Sequence, residues 1–262
     1  MPSKDPAAAD ASLIPDNPAT PGAPREKIFV GTSGWAYPSW KPKFYPQALP
    51  QKKFLEYFAA QLNSVEVNYT FRQLPTASML AGWISAAGPE FRFSFKAPQR
   101  ITHILRLKDC AEGVAALARA LAPVAAAGRM GIVLFQLPPN FKADPSLLDA
   151  FLKAAMPSGL KIALEFRNVS WFCDQVYAIL RSHCAALCVA ESEDLETPDI
   201  RTAPFACYRL RMSGGYTEAQ LDTITQKLLL RSREGEVFAY FKHEDEPAGA
   251  LCAVDTLQRL RR

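Results

Sequence analysis

The sequence contains few of the residues that usually hold transition metals or act as nucleophiles. It has only three histidines, His103, His183 and His243, which lie far apart, and six cysteines without a CxxC pair. No HxH or HExxH spacing is present, so a dedicated zinc site is not expected. A GxSxG motif, which would place a nucleophilic serine on a strand–turn–helix, is also missing. These absences argue against zinc enzymes and against serine or cysteine hydrolases.

Long apolar runs are missing too. No uninterrupted run approaches the roughly 20 residues of a membrane span, so no membrane segment is expected. Residues 1–27 are rich in proline and alanine and show no apolar periodicity. They lack the apolar core and cleavage site of a secretory signal, so we predict a disordered tail over 1–27 and a cytoplasmic protein. The cysteines are then expected to be reduced core thiols.

Overall composition leaves the number of domains open and excludes a largely disordered chain. The 262 residues fit one (β/α)8 barrel or two smaller domains, and 49% hydrophobic residues are enough for a sizeable core. The net charge of +4 is compatible with an anionic ligand. It is too small to indicate nucleic acid by itself, although an oligonucleotide stays an alternative ligand.

Eight short apolar runs alternate with helix-like stretches, and most of them end on a charged or amide side chain. The runs are 28–32, 64–68, 91–96, 130–136, 160–167, 185–191, 206–211 and 237–242. The helical stretches are 51–62, 76–86, 109–126, 146–155, 170–183 (with Ser170 as N-cap), 217–232 and 248–260, with a loop between strands six and seven. This alternation predicts a single α/β domain over 28–262, a TIM-barrel-like (β/α)8 fold with its chemistry at the carboxyl ends of the strands.

The alternation within each strand predicts which side chains enter the barrel. In VEVN, the two valines face one way while Glu66 and Asn68 face the other. In FRFSFK, the phenylalanines oppose the face that carries Lys96, and in LKIALEFR the face with Glu165 and Arg167 opposes large apolar residues. We therefore expect the apolar faces to pack against the helices and the polar faces to meet inside the barrel, near its mouth.

Charged residues are expected to gather at this mouth. The acids are Glu66, Glu165 and Glu191, and the bases are Lys96, Arg167, Arg209, Arg211 and Lys242. So many charges in a confined place must pair with one another or meet a ligand. Five cations against three carboxylates favour an anionic ligand, and arginine matches phosphate or carboxylate. The alternative is a neutral salt-bridge network that plugs the barrel top.

Three residues are candidates for catalysis: Glu66, Glu165 and Lys96. The two carboxylates could share acid–base work, hold a magnesium or manganese ion, or merely neutralise their neighbours. A glycosidase would also need two carboxylates, but the excess of cations counts against it. No organic cofactor is implied. The candidate ligand-binding residues are Ser33, Trp35, Tyr37, Asn68, Gln136, Arg167, Arg209, Arg211 and Lys242.

The segment GTSGW, directly after the first strand, lacks the spacing of a phosphate-binding P-loop. Its glycines nevertheless allow close backbone approach. The aromatic residues that follow would be costly to leave exposed, so we expect them to pack over the barrel top. Stacking on a base or a sugar is the alternative. These aromatic residues are Trp35, Tyr37, Trp40, Phe44 and Tyr45.

Five ordered segments resemble the YecE-like family, catalogued as domain of unknown function 72. They are GTSGWAYPSWKPKFYP, SVEVNYTFRQLP, FRFSFKAPQRITH, LFQLPPNF and ALEFRNVSWF, and the resemblance covers about residues 28–245. It implies a TIM-barrel-like fold and a soluble cytoplasmic protein, and it implies no particular reaction. The chain departs from the family pattern at Arg211 and Lys242, which make the second half of the mouth more basic.

We therefore expect a protein that binds a small phosphate-bearing or other anionic ligand at the barrel mouth. In its enzymatic form, the hypothesis adds hydrolysis or another transformation of that ligand. The alternative is a non-catalytic barrel that holds an anionic ligand or an oligonucleotide.

Overall fold

The computed structural model describes residues 27–192, 194–242 and 246–262, and within them eight parallel strands alternate with seven α-helices. The strands are β1 (Ile28–Thr32), β2 (Ser64–Val67), β3 (Arg92–Lys96), β4 (Met130–Gln136), β5 (Lys161–Glu165), β6 (Ala186–Ala190), β7 (Phe205–Leu210) and β8 (Glu236–Phe241). The helices are α1 (Phe54–Gln61), α2 (Ala77–Ala86), α3 (Ala111–Ala126), α4 (Pro145–Ala155), α5 (Asp174–Ser182), α6 (Glu218–Ser232) and α7 (Ala248–Arg261). The predicted tail, apart from Lys27, and His243 lie outside the described residues.

The strands form one sheet that curls into a nearly closed barrel, in the order β1-β8-β7-β6-β5-β4-β3-β2. Between β1 and β2 the seam is narrow: an isolated bridge joins Ser33 to Glu66, and the Gly34 N–H donates to the Glu66 carbonyl at 2.8 Å. Lower in the seam, the Asn63 side chain accepts from the Val30 N–H at 2.7 Å. The predicted TIM-barrel-like fold is confirmed.

The predicted division between inner and outer faces is also confirmed. Val65, Phe93 and Leu164 belong to the large buried cluster that packs the helices against the barrel. A second, smaller cluster fills the barrel interior between the strands. Its members are Phe29, Ile132, Leu134, Ala163, Ala186, Cys188, Ala203, Phe205, Cys207, Phe238 and Tyr240.

Two of the six cysteines do not meet the expectation of core thiols. Cys173 and Cys184 are exposed, whereas the other four are buried. Cys173 immediately precedes α5, and Cys184 has a positive φ of 50° in the turn that follows that helix. Both therefore lie at surface connections rather than inside a strand, which explains their exposure.

The connections depart from the sequence pattern in two places. Ser170 is not the N-cap of α5, which begins at Asp174: the side chain of Asn168 accepts from the Ser170 N–H at 3.1 Å and caps a separate short turn. After β3, a π-helical turn over Arg100–Ile104 precedes three residues with positive φ, namely Arg106, Leu107 and Asp109. In the described part of the β6–β7 connection, 191–192 and 194–204, no helix forms, as expected.

Within the described ranges, no helix combines the length and the apolar character that crossing a bilayer requires.

A substitution at Gly31, where β1 approaches β2 closely, tests how the barrel closes. A Cβ there would lie 1.9 Å from the Ser64 carbonyl oxygen, whereas a Cβ at Gly82 in α2 would meet nothing within 4 Å. We expect Gly31→Ala to lower the free energy of unfolding by about 3 kcal/mol, because β1 and β2 must move apart. Gly82→Ala, the matched control, should raise it by up to about 1 kcal/mol, because alanine favours a helix. Urea unfolding measures both, and similar effects of the two changes would contradict this account of the seam.

Candidate functional site

The guanidinium of Arg209, in β7, lies at the centre of the buried part of the barrel mouth and is only 2% exposed. Its Nη1 donates to Glu165 Oε2 at 2.5 Å, and its Nη2 donates to Glu66 Oε1 at 2.7 Å and to Ser33 Oγ at 3.1 Å. We call these four residues the Arg209 network. Burial would lower the pKa of Arg209, but Glu165 and Glu66 outweigh it and hold that pKa well above its ordinary value. The guanidinium therefore stays charged.

Glu165, the last residue of β5, has partners on both carboxylate oxygens. Its Oε1 accepts from Gln136 Nε2 at 2.7 Å and from the guanidinium of Arg167, while Oε2 accepts from Arg209. Gln136 reaches it because β4 and β5 pair these two residues directly in register. Burial would raise the pKa of Glu165, but the two arginines and the Gln136 hydrogen bond lower it to about 2. Glu165 is therefore a carboxylate at any ordinary pH.

Glu66, in β2, is as deeply buried but less completely bonded. Its Oε1 accepts from the Ser33 hydroxyl and from Arg209. Its Oε2 is buried and has no hydrogen-bond donor among the described residues, and the same holds for Oδ1 of Asn68. The end of β2 thus presents unsatisfied acceptors, in contrast to the end of β5.

Lys96, at the end of β3, lies next to the Arg209 network, and its Nζ stands 4.2 Å from the centroid of the Phe71 ring. Burial and, after it, the charge of Arg209 lower the pKa of Lys96 to about 8, against the opposing effect of Glu66 and Glu165. Burial together with the charge of Lys96 also lowers the pKa of His103. At neutral pH, Lys96 is therefore largely charged and His103 largely neutral.

Above the network, the mouth opens into a cleft of about 550 Å³. Gln136 and Arg167 line the cleft and also bond Glu165, so they connect it to the network. Arg211 and Lys242 enter it from the ends of β7 and β8. We call this volume the mouth cleft. Its lining residues are His103, Gln136, Leu137, Pro138, Pro139, Arg167, Asn168, Val169, Ser192, Asp194, Leu195, Arg211 and Lys242.

Most of the predicted site residues are thus brought together, in the network, beside it or in the cleft. They are Ser33, Glu66, Lys96, Gln136, Glu165, Arg167, Arg209, Arg211 and Lys242. Whether any of them contacts a ligand stays a prediction. For Arg209 the surroundings favour an internal role, because both of its Nη atoms already serve carboxylates.

The aromatic residues after β1 pack as expected rather than line the cleft. The Trp35 ring meets the edge of Trp83 at 5.4 Å, and the Tyr37 hydroxyl donates to the Ser33 carbonyl at 2.8 Å. Tyr45 stacks on Phe54 of α1 with the ring centroids 4.0 Å apart. A ligand contact by Trp35 or Tyr37 stays a prediction, and the backbone support that Tyr37 gives Ser33 shows a structural role.

Glu191 is not part of the mouth cleft, contrary to the expectation from strand parity. Its carboxylate accepts from the Arg211 backbone N–H at 2.6 Å and from the Tyr216 hydroxyl, and it lines a separate cavity beside α6. Strand parity does not predict this position, because the Arg211 N–H and the Tyr216 hydroxyl hold the carboxylate on the side of α6. Asp194, which the sequence did not single out, lines the cleft instead. The polar composition of that loop was the only available signal for it.

The charges of the described residues at the mouth separate into two layers. In the lower layer, Arg209 and Arg167 neutralise the two glutamates. Arg211, Lys242 and Asp194 line the cleft, and Lys96 lies beside it. The salt-bridge alternative therefore describes the lower layer, and Lys96 and Arg211 place the cations that favour an anion in the upper one.

A divalent cation held jointly by Glu66 and Glu165 does not fit this arrangement. The guanidinium of Arg209 bonds both carboxylates and occupies the position that such an ion would need. No group of three histidine, cysteine or acidic residues suited to a metal occurs among the described residues. The group that joins the two carboxylates in this fold is therefore the guanidinium of Arg209.

The low pKa of Glu165 predicts that its contribution to the stability of the protein depends on pH. Its folded pKa of about 2 lies below the ordinary 4.5, so its contribution to stability is complete above pH 4.5 and is lost as the pH falls toward 2. We expect the difference in unfolding free energy between the wild type and Glu165→Gln to shrink by about 3 kcal/mol over that interval. Glu112→Gln, which removes an exposed ion pair with Arg119, is the control. A difference that stays constant with pH would contradict the assignment.

A family model described as "Protein of unknown function DUF72" matches residues 29–262. UPF0759 protein YecE of Escherichia coli (strain K12) is 30% identical over 148 residues, 55% of this chain and 50% of that protein. UPF0759 protein YunF of Bacillus subtilis (strain 168) is 28% identical over 156 residues, 57% of this chain and 54% of that protein. The chain spans about half the length of these curated relatives.

Among solved structures, a DUF72 family protein from Thermotoga maritima MSB8 superimposes with a TM-score of 0.79 and 25% identity. The alignment covers 90% of this chain and 99% of that chain. Together with the family model, it confirms the resemblance that the five sequence segments indicated. The chain belongs to the DUF72 family.

Proposed function

We propose that the protein binds a small phosphate-bearing or closely related anionic ligand in the mouth cleft. The observation that carries this proposal is the layering of charge. The glutamates below the cleft are already neutralised by Arg209 and Arg167, so they do not take up the positive charge of Lys96 and Arg211, which attracts an anion. A cleft of about 550 Å³ also lies within the usual range for small-molecule sites.

The network supports this role by positioning Arg167. Its guanidinium is held by Glu165 Oε1, so it reaches the cleft with little remaining rotational freedom. A guanidinium fixed in this way loses less conformational entropy when it binds a phosphate. Glu165 then acts as a positioning residue, and its low pKa makes it a poor proton donor or acceptor at neutral pH.

A catalytic function is the second candidate, and Lys96 favours it. A lysine whose pKa is lowered to about 8 exchanges its proton readily near neutral pH, and Lys96 lies close to the incompletely bonded carboxylate of Glu66. Of the three predicted catalytic residues, Lys96 is therefore the one suited to proton transfer. Turnover of a bound phosphate ester that is lost in Lys96→Arg, which keeps the positive charge, while binding persists would support this candidate.

The binding proposal is tested by calorimetric titration with inorganic pyrophosphate, glycerol 3-phosphate and a short oligonucleotide. We expect Arg211→Met to weaken binding of a phosphate ligand about 10- to 100-fold, the range for losing a charge-assisted hydrogen bond. Lys153→Met, on the exposed face of α4, removes the same charge far from the mouth and should leave affinity unchanged. Equal losses of affinity in the two variants would mean that the effect comes from the net charge of the protein and not from the position of Arg211. Binding of the oligonucleotide alone would favour the non-catalytic alternative.

The pKa of Lys96 predicts how binding depends on pH. An anion prefers the protonated lysine, so affinity for glycerol 3-phosphate should fall as the pH rises through about 8. Lys96→Arg keeps the charge at every accessible pH and should bind with nearly constant affinity from pH 7 to about 10. Titrations of both proteins over this interval provide the measurement, and a parallel decline in the two would contradict the role of Lys96.

A further inference from the structure

The anion site leaves two buried oxygens unexplained. Glu66 Oε2 accepts no hydrogen bond among the described residues, although Oε1 of the same carboxylate accepts two. Oδ1 of Asn68, which follows β2, is buried without a donor as well. Burying an acceptor without a donor costs free energy, and the cost is greatest when the acceptor is charged. The end of β2 therefore requires a hydrogen-bond donor that this part of the chain does not supply.

The neighbouring charges restrict the nature of that donor. Arg209 bonds the other oxygen of Glu66, and the ammonium of Lys96 is close enough for Glu66 and Arg209 to affect its pKa. A third cation would be repelled by these two, so an ammonium group is a poor occupant. A hydroxyl is neutral: it donates to a carboxylate oxygen and accepts from an ammonium such as that of Lys96.

The hydroxyl position is joined to the floor of the mouth cleft by hydrogen bonds, because Arg209 bonds both Glu66 and Glu165. Glu165 in turn accepts from Gln136 and Arg167, which both line the cleft, and Lys96 lies beside the same network. A ligand with its phosphate among Arg167, Arg211 and Lys242 could therefore extend past Lys96 to Glu66. This inference rests on the proposed function and specifies its ligand.

We propose that the ligand is a small hydroxylated phosphate ester, whose phosphate binds the cations of the mouth cleft and whose hydroxyl donates to Glu66 Oε2. Asn68 Oδ1 supplies a second acceptor for the same or an adjacent hydroxyl.

Two esters of equal charge provide the test. Glycerol 3-phosphate carries hydroxyl groups, and propyl phosphate has the same carbon chain without them. Calorimetric titration of the wild type should give an affinity about 10- to 100-fold higher for the hydroxylated ester, as for a hydrogen bond to a charged acceptor. The ratio of the two affinities is the readout, because a change in overall charge alters both esters alike.

Two variants test whether the preference for the hydroxylated ester arises at Glu66 and Asn68. In Glu66→Gln, the oxygen must remain at the position bonded by Ser33 and Arg209, so the amide nitrogen takes the place of Oε2. A donor then replaces an acceptor, and the affinity ratio should fall at least about tenfold. Asn68→Leu is isosteric and uncharged and should lower the ratio without changing the affinity for propyl phosphate. Gln175→Leu, on the exposed side of α5, is the matched control and should leave the ratio unchanged.

The outcomes separate the two proposals. Equal affinities of the wild type for both esters, or a ratio that neither variant changes, would overturn the hydroxyl position, leave water as its occupant and preserve the anion site. Failure of both esters to bind at millimolar concentration would overturn the proposed function and the hydroxyl position with it. If Glu66→Gln does not fold, the ratio measured with Asn68→Leu decides.

Discussion

The mouth of this barrel depends on the pairing of Arg209 with two fully buried glutamates. A carboxylate that is taken out of water without a cationic partner costs several kcal/mol, and two of them close together cost more. Arg209 meets both, and it is charged because they are. None of the three would be stable at this depth without the others, so they form one cooperative unit.

This unit also determines the orientation of its surroundings. Glu165 aligns Arg167 and Gln136 at the floor of the mouth cleft, and Ser33 connects Glu66 to the strand across the seam. The residues available to a ligand are therefore held by groups that are themselves fully buried. Such support from a second layer of bonded residues is what accurate positioning in a binding site requires.

Much of the fold and of the site could be predicted from the sequence, because the alternation of side chains along a strand is a local property. Strand parity placed Glu66, Lys96 and Glu165 inside the barrel, since alternation is a property of any strand. It failed at Glu191, because the Arg211 backbone N–H and the Tyr216 hydroxyl hold its carboxylate, and periodicity does not contain such tertiary contacts. The pairing of Arg209 with both carboxylates joins residues 143 and 44 positions apart in the chain. Such a contact depends on barrel geometry, so the sequence could predict it only as one of several possible pairings between the acids and the bases of the mouth.

The seam between β1 and β2 has a consequence for how the molecule moves. It is the line along which the sheet is joined by a bridge and a few hydrogen bonds rather than by a full ladder, and Glu66 belongs both to that line and to the Arg209 network. Local opening favours lines with few backbone bonds, and a ligand stabilises any state that it binds preferentially. A ligand bound as proposed would therefore hold the two sides of the seam together, and amide protons along the seam would exchange more slowly when the site is filled, although they lie outside the cleft itself.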